Sequence, residues 1–165
     1  LFKVSTPGEP SHILTIHLKP NSGVSVAEGE AYRKYEIEQI MAATLNHTDY
    51  KNISNWIVVG DFNADTRRDA PFHNYIDNGT HYLTHDYIAE NTSLTDVMAA
   101  RYPNAFMYTT ASARRIDYVY MDRTAYGKIS DACVLTENWT APVQTALSNF
   151  CKPSDHRPIL IDMTY

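Results

Sequence analysis

The stretch that decides the fold is Trp56-Ile57-Val58-Val59-Gly60-Asp61-Phe62-Asn63-Ala64-Asp65. It opens with a continuous apolar run, and such a run is typical of a strand buried on both faces. Acidic and amide side chains follow at once, at Asp61 and Asn63. Because binding and catalytic residues concentrate in loops that follow strand ends, the sequence predicts a central strand over residues 56–60 that delivers these two side chains to a site.

The segments on either side of this strand alternate between β-type and helical patterns. A β-rich run over residues 13–18 ends in a cluster of turn residues and predicts a strand. Residues 28–45 have a helical period and predict an amphipathic helix. The apolar positions of that predicted helix are Tyr32, Tyr35, Ile37, Ile40, Met41 and Leu45.

The rest of the chain is predicted to be richer in strands. The polar segment 66–92 has no clear period, which indicates a loop with short helical turns. No repeat or linker divides the sequence, so a single mixed α/β domain is expected. The further predicted elements are a helix over residues 93–101, capped by Thr92 or Ser93, and strands over residues 106–110, 116–121, 133–136 and 158–163.

Composition limits the classes of function. The chain has 165 residues, of which 44% are hydrophobic and 20% charged, and its formal net charge is -5. These values are typical of one globular domain, and the apolar runs are far shorter than the roughly 20 residues of a membrane span. The acidic balance argues against a broad basic face that holds nucleic acid. It leaves open an enzyme that touches a phosphodiester at one site.

Polar clusters stand at or beside the ends of several predicted strands. Each alone is more typical of a turn or a helix cap than of a catalytic site. Together they supply carboxylates, an amide and imidazoles, the groups that hold a hard divalent cation and move protons around a phosphate. The clusters are His17 with Lys19, Asp61 with Asn63, Asp117 preceded by Arg114 and Arg115, and Asp155 with His156.

Four motifs in this order resemble the metal-dependent endonuclease/exonuclease/phosphatase superfamily, which includes deoxyribonuclease I. They are Ile16-His17-Leu18-Lys19, Val59-Gly60-Asp61-Phe62-Asn63-Ala64-Asp65, Arg115-Ile116-Asp117-Tyr118-Val119 and Ser154-Asp155-His156-Arg157-Pro158-Ile159. The resemblance implies a mostly antiparallel mixed sheet with flanking helices, as part of a four-layered α/β sandwich. It also implies hydrolysis of phosphoesters by in-line attack of water, assisted by Mg²⁺ or Mn²⁺.

The resemblance further implies a role for each matching residue. Orientation of an imidazole by a carboxylate fixes its tautomer and raises its basicity. For the two arginines before Asp117, a phosphate contact and an ordinary solvated charge are both open. The implied roles are Asp155 as metal ligand, His156 as phosphate-contacting or proton-handling group, Asp117 as the carboxylate that orients it, Asp61 with Asn63 for the attacking water, His17 for a phosphate oxygen or the leaving group, and Lys19 and Arg115 for substrate phosphate.

The sequence also departs from the family pattern. Members are longer and carry a metal-binding Glu in an earlier half, and Glu9, Glu28 and Glu30 do not match that position. Residues 1–165 are therefore expected to form one unit, the C-terminal portion of such a domain, whose site the N-terminal portion or another chain completes. Alone it is expected to be weakly active or inactive. The alternative is a non-catalytic binding module, or inactive fragment, that keeps the fold.

Compartment and substrate are less constrained. Cys133 and Cys151 either form a disulfide or are two reduced cysteines. An excess of Asn-x-Ser/Thr sequons slightly favours a secreted or extracytoplasmic protein, and an Asn- and Thr-rich bacterial surface composition is the alternative source of the excess. The acidic charge favours nucleotides, phospholipid headgroups or sugar phosphates over processive binding of nucleic acid. The sequons are at Asn46, Asn52, Asn78, Asn91 and Asn138.

Overall fold

The computed structural model describes residues 1–72, 79–135 and 154–165. Within these ranges the chain forms a mixed α/β structure with a five-stranded sheet, a two-stranded sheet and flanking helices. The elements are β1 (Phe2–Val4), β2 (Ser11–His17), α1 (Val26–Ala43), β3 (Trp56–Asp61), a 3₁₀ helix (Arg67–Phe72), α2 (Leu83–Asn91), β4 (Thr95–Asp96), α3 (Val97–Arg101), β5 (Asp117–Met121), α4 (Arg123–Tyr126), β6 (Ile129–Val134) and β7 (Ile159–Met163).

The larger sheet has the strand order β1-β2-β3-β5-β4. Among the strand pairs of the described residues, β2–β3 is parallel, and the other pairs in this sheet, as well as β6–β7, are antiparallel. A parallel pair needs a crossover connection, and α1 supplies it between β2 and β3. The predicted mostly antiparallel mixed sheet with flanking helices is confirmed.

The central strand β3 is buried on both sides, as its unbroken apolar sequence predicts. Val58 packs on one face in a cluster that includes Ile37 and Met41 of α1. Ile57 packs on the other face with residues of α3, β6 and β7. Because successive side chains of a strand point to opposite faces, one short strand anchors the helical layer and the smaller sheet together.

Helix α1 begins with a capping box. The Ser25 hydroxyl accepts a hydrogen bond from the backbone N–H of Glu28, and the Glu28 carboxylate accepts one from the backbone N–H of Ser25. The predicted apolar face is wrong in part, because the rings of Tyr32 and Tyr35 are exposed. A charged residue, Arg33, occupies the buried side of the helix instead.

That buried charge joins α1 to α2. The Arg33 guanidinium donates to the Glu30 carboxylate, at 3.1 Å from Nε and 2.7 Å from Nη2. The second carboxylate oxygen of Glu30 accepts from the backbone N–H of Thr84 at the start of α2, at 2.8 Å. The loop predicted over residues 66–92 thus contains a nine-residue helix. The sequence of α2 has no clear apolar period, because part of the buried side of this helix makes hydrogen bonds rather than apolar contacts.

Other predicted elements need correction. In place of a helix over residues 93–101, the chain forms the short strand β4 and then α3, which Asp96 caps by accepting from the N–H of Ala99. Residues 106–110 do not form a strand; only Thr110 makes an isolated bridge, to His156. Strand β6 begins at Ile129, four residues before the predicted start at Cys133. The sequence pattern does not predict β1, a three-residue edge strand whose residues are all exposed.

Some expectations fall outside the described residues. Cys133 lies in β6 and Cys151 lies outside these ranges, so their pairing stays a prediction. Among the sequons, Asn46, Asn52 and Asn91 are exposed, while Asn78 and Asn138 lie outside. Of the helices described, none has the length and apolar character to cross a membrane.

Candidate active site

Three predicted site residues share one position of the sheet register. His17 of β2 pairs with Asp61 of β3 in the parallel ladder, and Asp61 pairs with Asp117 of β5 in the antiparallel ladder. Directly paired residues on neighbouring strands have Cβ atoms about 5 Å apart. The sheet therefore brings residues from three distant parts of the sequence into one row at its edge.

The backbone before Asp61 is specialised for close strand contact. Gly60 has φ +146°, and a Cβ atom built there would lie 1.9 Å from the carbonyl oxygen of Ile16 on β2. Only glycine can occupy such a position without displacing the neighbouring backbone. The Gly in the Gly-Asp-Phe-Asn motif is thus needed to keep β2 and β3 in register where the site begins.

Asn63 holds the loop that follows. It adopts a left-handed conformation, φ +50°, which Asn tolerates better than most residues. Its backbone N–H donates to the Asp61 carboxylate at 2.7 Å, and its side-chain amide donates to the carbonyl of Leu18 at 2.9 Å. One amide N–H of Asn63 therefore ties this loop to the end of β2.

His156 reaches the row from the far end of the sequence. The bridge between Thr110 and His156 brings the segment that contains His156 beside β5. There His156 Nδ1 lies 3.0 Å from each carboxylate oxygen of Asp117. With Nδ1–H donating to Asp117, Nε2 is left to face a substrate or an ion.

Burial and neighbouring charge shift the pKa values of this cluster. Burial and, more weakly, the charge of Asp117 raise the pKa of Asp61, against the opposing effects of the Asn63 N–H and the two histidines. Burial alone would lower the pKa of His156, but the hydrogen bond that its imidazole donates to Asp117 and the charges of the nearby carboxylates outweigh burial and raise the pKa. A carboxylate with a raised pKa is a stronger base.

Three of these groups form a compact set of possible metal ligands. One ligand atom each from Asp61, Asp117 and His156 lies within 4.8 Å of the others. Two carboxylates and an imidazole suit a divalent cation, and an ion between the carboxylates would relieve their mutual repulsion. On this donor set, the residues fit the expected metal.

The remaining predicted residues lie at the border of this cluster. The ring of His17 is 73% exposed, with Nε2 3.7 Å from the Asp61 carboxylate. Asp155 is exposed, and its charge is among those that raise the pKa of His156. The Lys19 ammonium lies over the ring of Tyr32, 5.7 Å from its centroid. The roles predicted for these side chains stay predictions.

Arg115 requires a correction. Its guanidinium is buried, 1% exposed, and forms ion pairs with Asp69 at 2.7 Å and Asp96 at 2.8 Å. Such a group cannot reach a phosphate in solvent, so the expected phosphate contact is wrong. Its neighbour Arg114 is 40% exposed and pairs with Asp65 of the Gly-Asp-Phe-Asn-Ala-Asp motif at 2.8 Å.

Two buried side chains that the sequence does not single out lie beneath the site. The carbonyl of Ala64 lies within hydrogen-bond distance of Tyr118 Oη, at 3.2 Å, and of His85 Nε2, at 3.3 Å. These contacts support the loop that carries Asp61 and Asn63 from the core side. His85 lies in the aperiodic segment 66–92, where the sequence offered no signal that it is buried.

Comparisons with known proteins identify the fold. No protein-family model matches the sequence, and no curated protein matches it. Solved structures do match, among them a 3′ phosphatase, NExo, from Neisseria bound to a product DNA hairpin, at 15% identity and a TM-score of 0.63. An AP endonuclease from Archaeoglobus fulgidus matches at 16% identity and a TM-score of 0.62, and the AP endonuclease LMAP from Leishmania major at 12% and 0.57.

These structures share the fold over nearly all of this chain. The alignments cover 99%, 93% and 94% of it, respectively, and 64%, 61% and 51% of the other chains. The chain therefore has the fold of these structures, which is the deoxyribonuclease I-like fold that the four motifs predict. It spans less than two thirds of the length of these neighbours. The resemblance predicted from the four motifs is confirmed at the level of the fold.

Proposed function

We propose that the protein is a divalent-metal-dependent phosphoesterase whose active site is the row of His17, Asp61 and Asp117 with His156 beside it. The observation that carries this proposal is the 3.0 Å contact between His156 and Asp117, at the register position that Asp117 shares with Asp61. A paired imidazole and carboxylate beside a second carboxylate of raised pKa can exchange protons and bind cations at one place. The nuclease and phosphatase neighbours share this fold.

The metal would be held by carboxylate oxygens. Asp117 is the inner candidate, because Asp61 is needed beside the ion as the base, and Asp155 is the predicted ligand at the exposed side. When bound, a Mg²⁺ or Mn²⁺ ion supplies positive charge that neutralises the phosphate and polarises its oxygens. Oxygen ligands of this kind are the ones such hard cations prefer.

Three side chains of the site each carry out one proton transfer of the hydrolysis. The Asp61 carboxylate orients a water molecule and accepts its proton as the water oxygen attacks phosphorus in line. His156, held through Nδ1 by Asp117, donates from Nε2 to a phosphate oxygen on which charge develops. The exposed imidazole of His17 supplies a proton to that phosphate or to the departing oxygen as the ester bond breaks.

The test is hydrolysis by the full-length protein with Mg²⁺ or with EDTA, across plasmid DNA, bis-p-nitrophenyl phosphate and inositol phosphates. Hydrolysis is expected only with the metal. Asp117→Asn and His156→Ala are expected to lower kcat by at least about 100-fold, the usual size of an acid–base contribution. The matched control is Asp162→Asn, since Asp162 is an exposed carboxylate on β7.

Equal activity in EDTA would contradict the metal requirement, and unchanged activity of both site variants would contradict the assigned site. Absence of hydrolysis in the whole panel, with binding of a phosphoester retained, would favour the alternative of a non-catalytic binding module. Isothermal titration of Mn²⁺ into the wild type and into Asp61→Asn adds a measurement that needs no turnover. Weaker binding to the variant is expected.

A further inference from the structure

We propose that a row of side chains beside the active site binds the unpaired nucleobases of a single-stranded nucleic acid; the inference rests on the proposed function and names its substrate. The aromatic row consists of Phe72, Phe106, Tyr108 and Arg157. Phe72 and Phe106 stack at 4.8 Å between centroids with 12° between their planes. Phe106 lies 6.2 Å from Tyr108, and the Arg157 guanidinium lies 4.2 Å from the Tyr108 centroid.

One end of the aromatic row lies next to a catalytic group in the chain. Arg157 follows His156 in the chain, and its backbone N–H donates to the carbonyl of Thr109 at 2.6 Å. The neighbouring bridge joins Thr110 to His156. A ligand seated along the row therefore has one end beside His156, where the phosphate is expected.

The outer end of the row is open. Phe72 ends the 3₁₀ helix and is 51% exposed, although a phenyl ring gains most from burial. Exposed aromatic rings in single-strand binding proteins stack on successive bases, and this stacking tolerates any base because every base has a π face. A half-exposed ring already stacked on a second ring provides such a platform.

The inner end carries charge that nothing in the described residues neutralises. Arg157 forms no ion pair there, and its Nε and Nη1 atoms are buried without a hydrogen-bond acceptor in the part of the chain that the structure describes. A guanidinium stacked on a ring keeps its positive charge and attracts an anion to that end. The aromatic row thus pairs a base-sized apolar platform with a cation on the residue that follows the catalytic histidine in the chain.

The acidic net charge favours a single-stranded ligand over a duplex. At -5, the chain offers no broad basic surface to follow a duplex backbone. Stacking depends on unstacked bases rather than on many phosphate contacts. The ligand that fits both observations is a short unpaired segment, such as the frayed or single-stranded end of a nucleic acid.

The experiment compares two fluorescent octamers binding to the full-length protein at fixed salt: an all-thymine strand, and the same backbone with abasic sites. The wild type is expected to bind the thymine strand about tenfold more tightly, in line with the usual size of base–aromatic stacking. Phe72→Ala should remove most of that preference without changing the affinity for the abasic strand. Phe72→Trp should retain it.

Tyr35→Ala is the matched control, because Tyr35 is a 61% exposed ring on α1 outside the row. Arg157→Met should weaken both strands alike. Thermal unfolding of each variant checks that the fold is kept. Equal affinity of the wild type for the two strands, or equal loss in the Phe72→Ala and Tyr35→Ala variants, would overturn the proposal.

Equal affinity for thymidine 5′-monophosphate and the thymine strand would assign the row to a free nucleotide and overturn the strand assignment. These binding measurements need no turnover. Failure of the hydrolysis assay and failure of base preference are therefore separate results, the first against the proposed reaction and the second against this subsite.

Discussion

His85 is a buried histidine that the folded protein keeps neutral. Its side chain is enclosed in the core, with Nδ1 2.8 Å from the Tyr120 hydroxyl and Nε2 3.3 Å from the Ala64 carbonyl. A carbonyl can only accept, so Nε2 carries the proton and Nδ1 accepts from the phenol. Burial, reinforced by the charge of Arg115, lowers the pKa of His85 from 6.5 to about 3.

This shift makes the stability of the protein sensitive to acid. As the pH falls below 6.5, the unfolded chain binds a proton at His85 while the folded chain does not. The contribution is fully present above the unfolded pKa and is lost progressively as the pH falls toward 3. At about pH 5 the pH lies about 1.5 units below the pKa of His85 in the unfolded chain. Protonation of the unfolded chain then lowers the free energy of unfolding by about 2 kcal/mol.

His85→Gln tests this reasoning, since Gln retains a donor and an acceptor but does not titrate. Urea unfolding of both proteins at about pH 7.5 and pH 5, followed by the fluorescence of buried Trp56, gives the free energies. The variant is expected to be less stable at neutral pH but to lose about 2 kcal/mol less on acidification. Equal losses in the two proteins would refute the assignment, and His47→Gln, at an exposed histidine, should behave as the wild type.

Three further predictions follow from the ion pairs and the backbone. Arg115→Met removes the guanidinium that Asp69 and Asp96 share and leaves the buried Asp69 with its pair to Arg68, so it should lower the free energy of urea unfolding by about 3–5 kcal/mol. Arg114→Met, at a partly exposed pair, should cost less than about 1 kcal/mol. Gly60→Ala places a methyl group 1.9 Å from a carbonyl oxygen of β2 and should lower the melting temperature sharply in calorimetry. Asp117→Asn removes a negative charge beside His156 and should lower that histidine's pKa in NMR titration; an unchanged pKa would contradict the contact.

The sequence predicted the elements that apolar patterning specifies. β3, α1, β5 and β7 lie within a few residues of their predicted bounds, because each depends on a run or period of apolar side chains. Patterning cannot give the strand register, which depends on contacts between distant segments. The pairing of Asp61 with Asp117 is therefore visible only in the structure, although the motifs had brought both residues into one expected site.

The failures share a physical cause. A phosphate contact and a solvated charge, the two roles expected of Arg115, both need an exposed side chain, and arginine is rarely buried; in the structure two carboxylates neutralise it in the core. Arg33 lies outside the apolar positions that the helical period predicts, yet it is buried against Glu30. Sequence periodicity treats every charged residue as exposed, so it also missed α2, whose buried side includes the polar residue His85.

The use of the arginines constrains how this protein can bind an anion. Arg33 pairs with Glu30, Arg115 with Asp69 and Asp96, and Arg114 with Asp65. These pairs neutralise three guanidinium groups, and the carboxylates of the site repel a phosphate. A phosphoester can therefore approach only if other positive charge compensates, and the proposed sources are a divalent cation among the carboxylates, the protonated His156 and the stacked Arg157. Binding of a phosphoester should therefore weaken when either the metal or the Arg157 charge is removed. A site with several free arginines would still bind the phosphate after the loss of one positive charge.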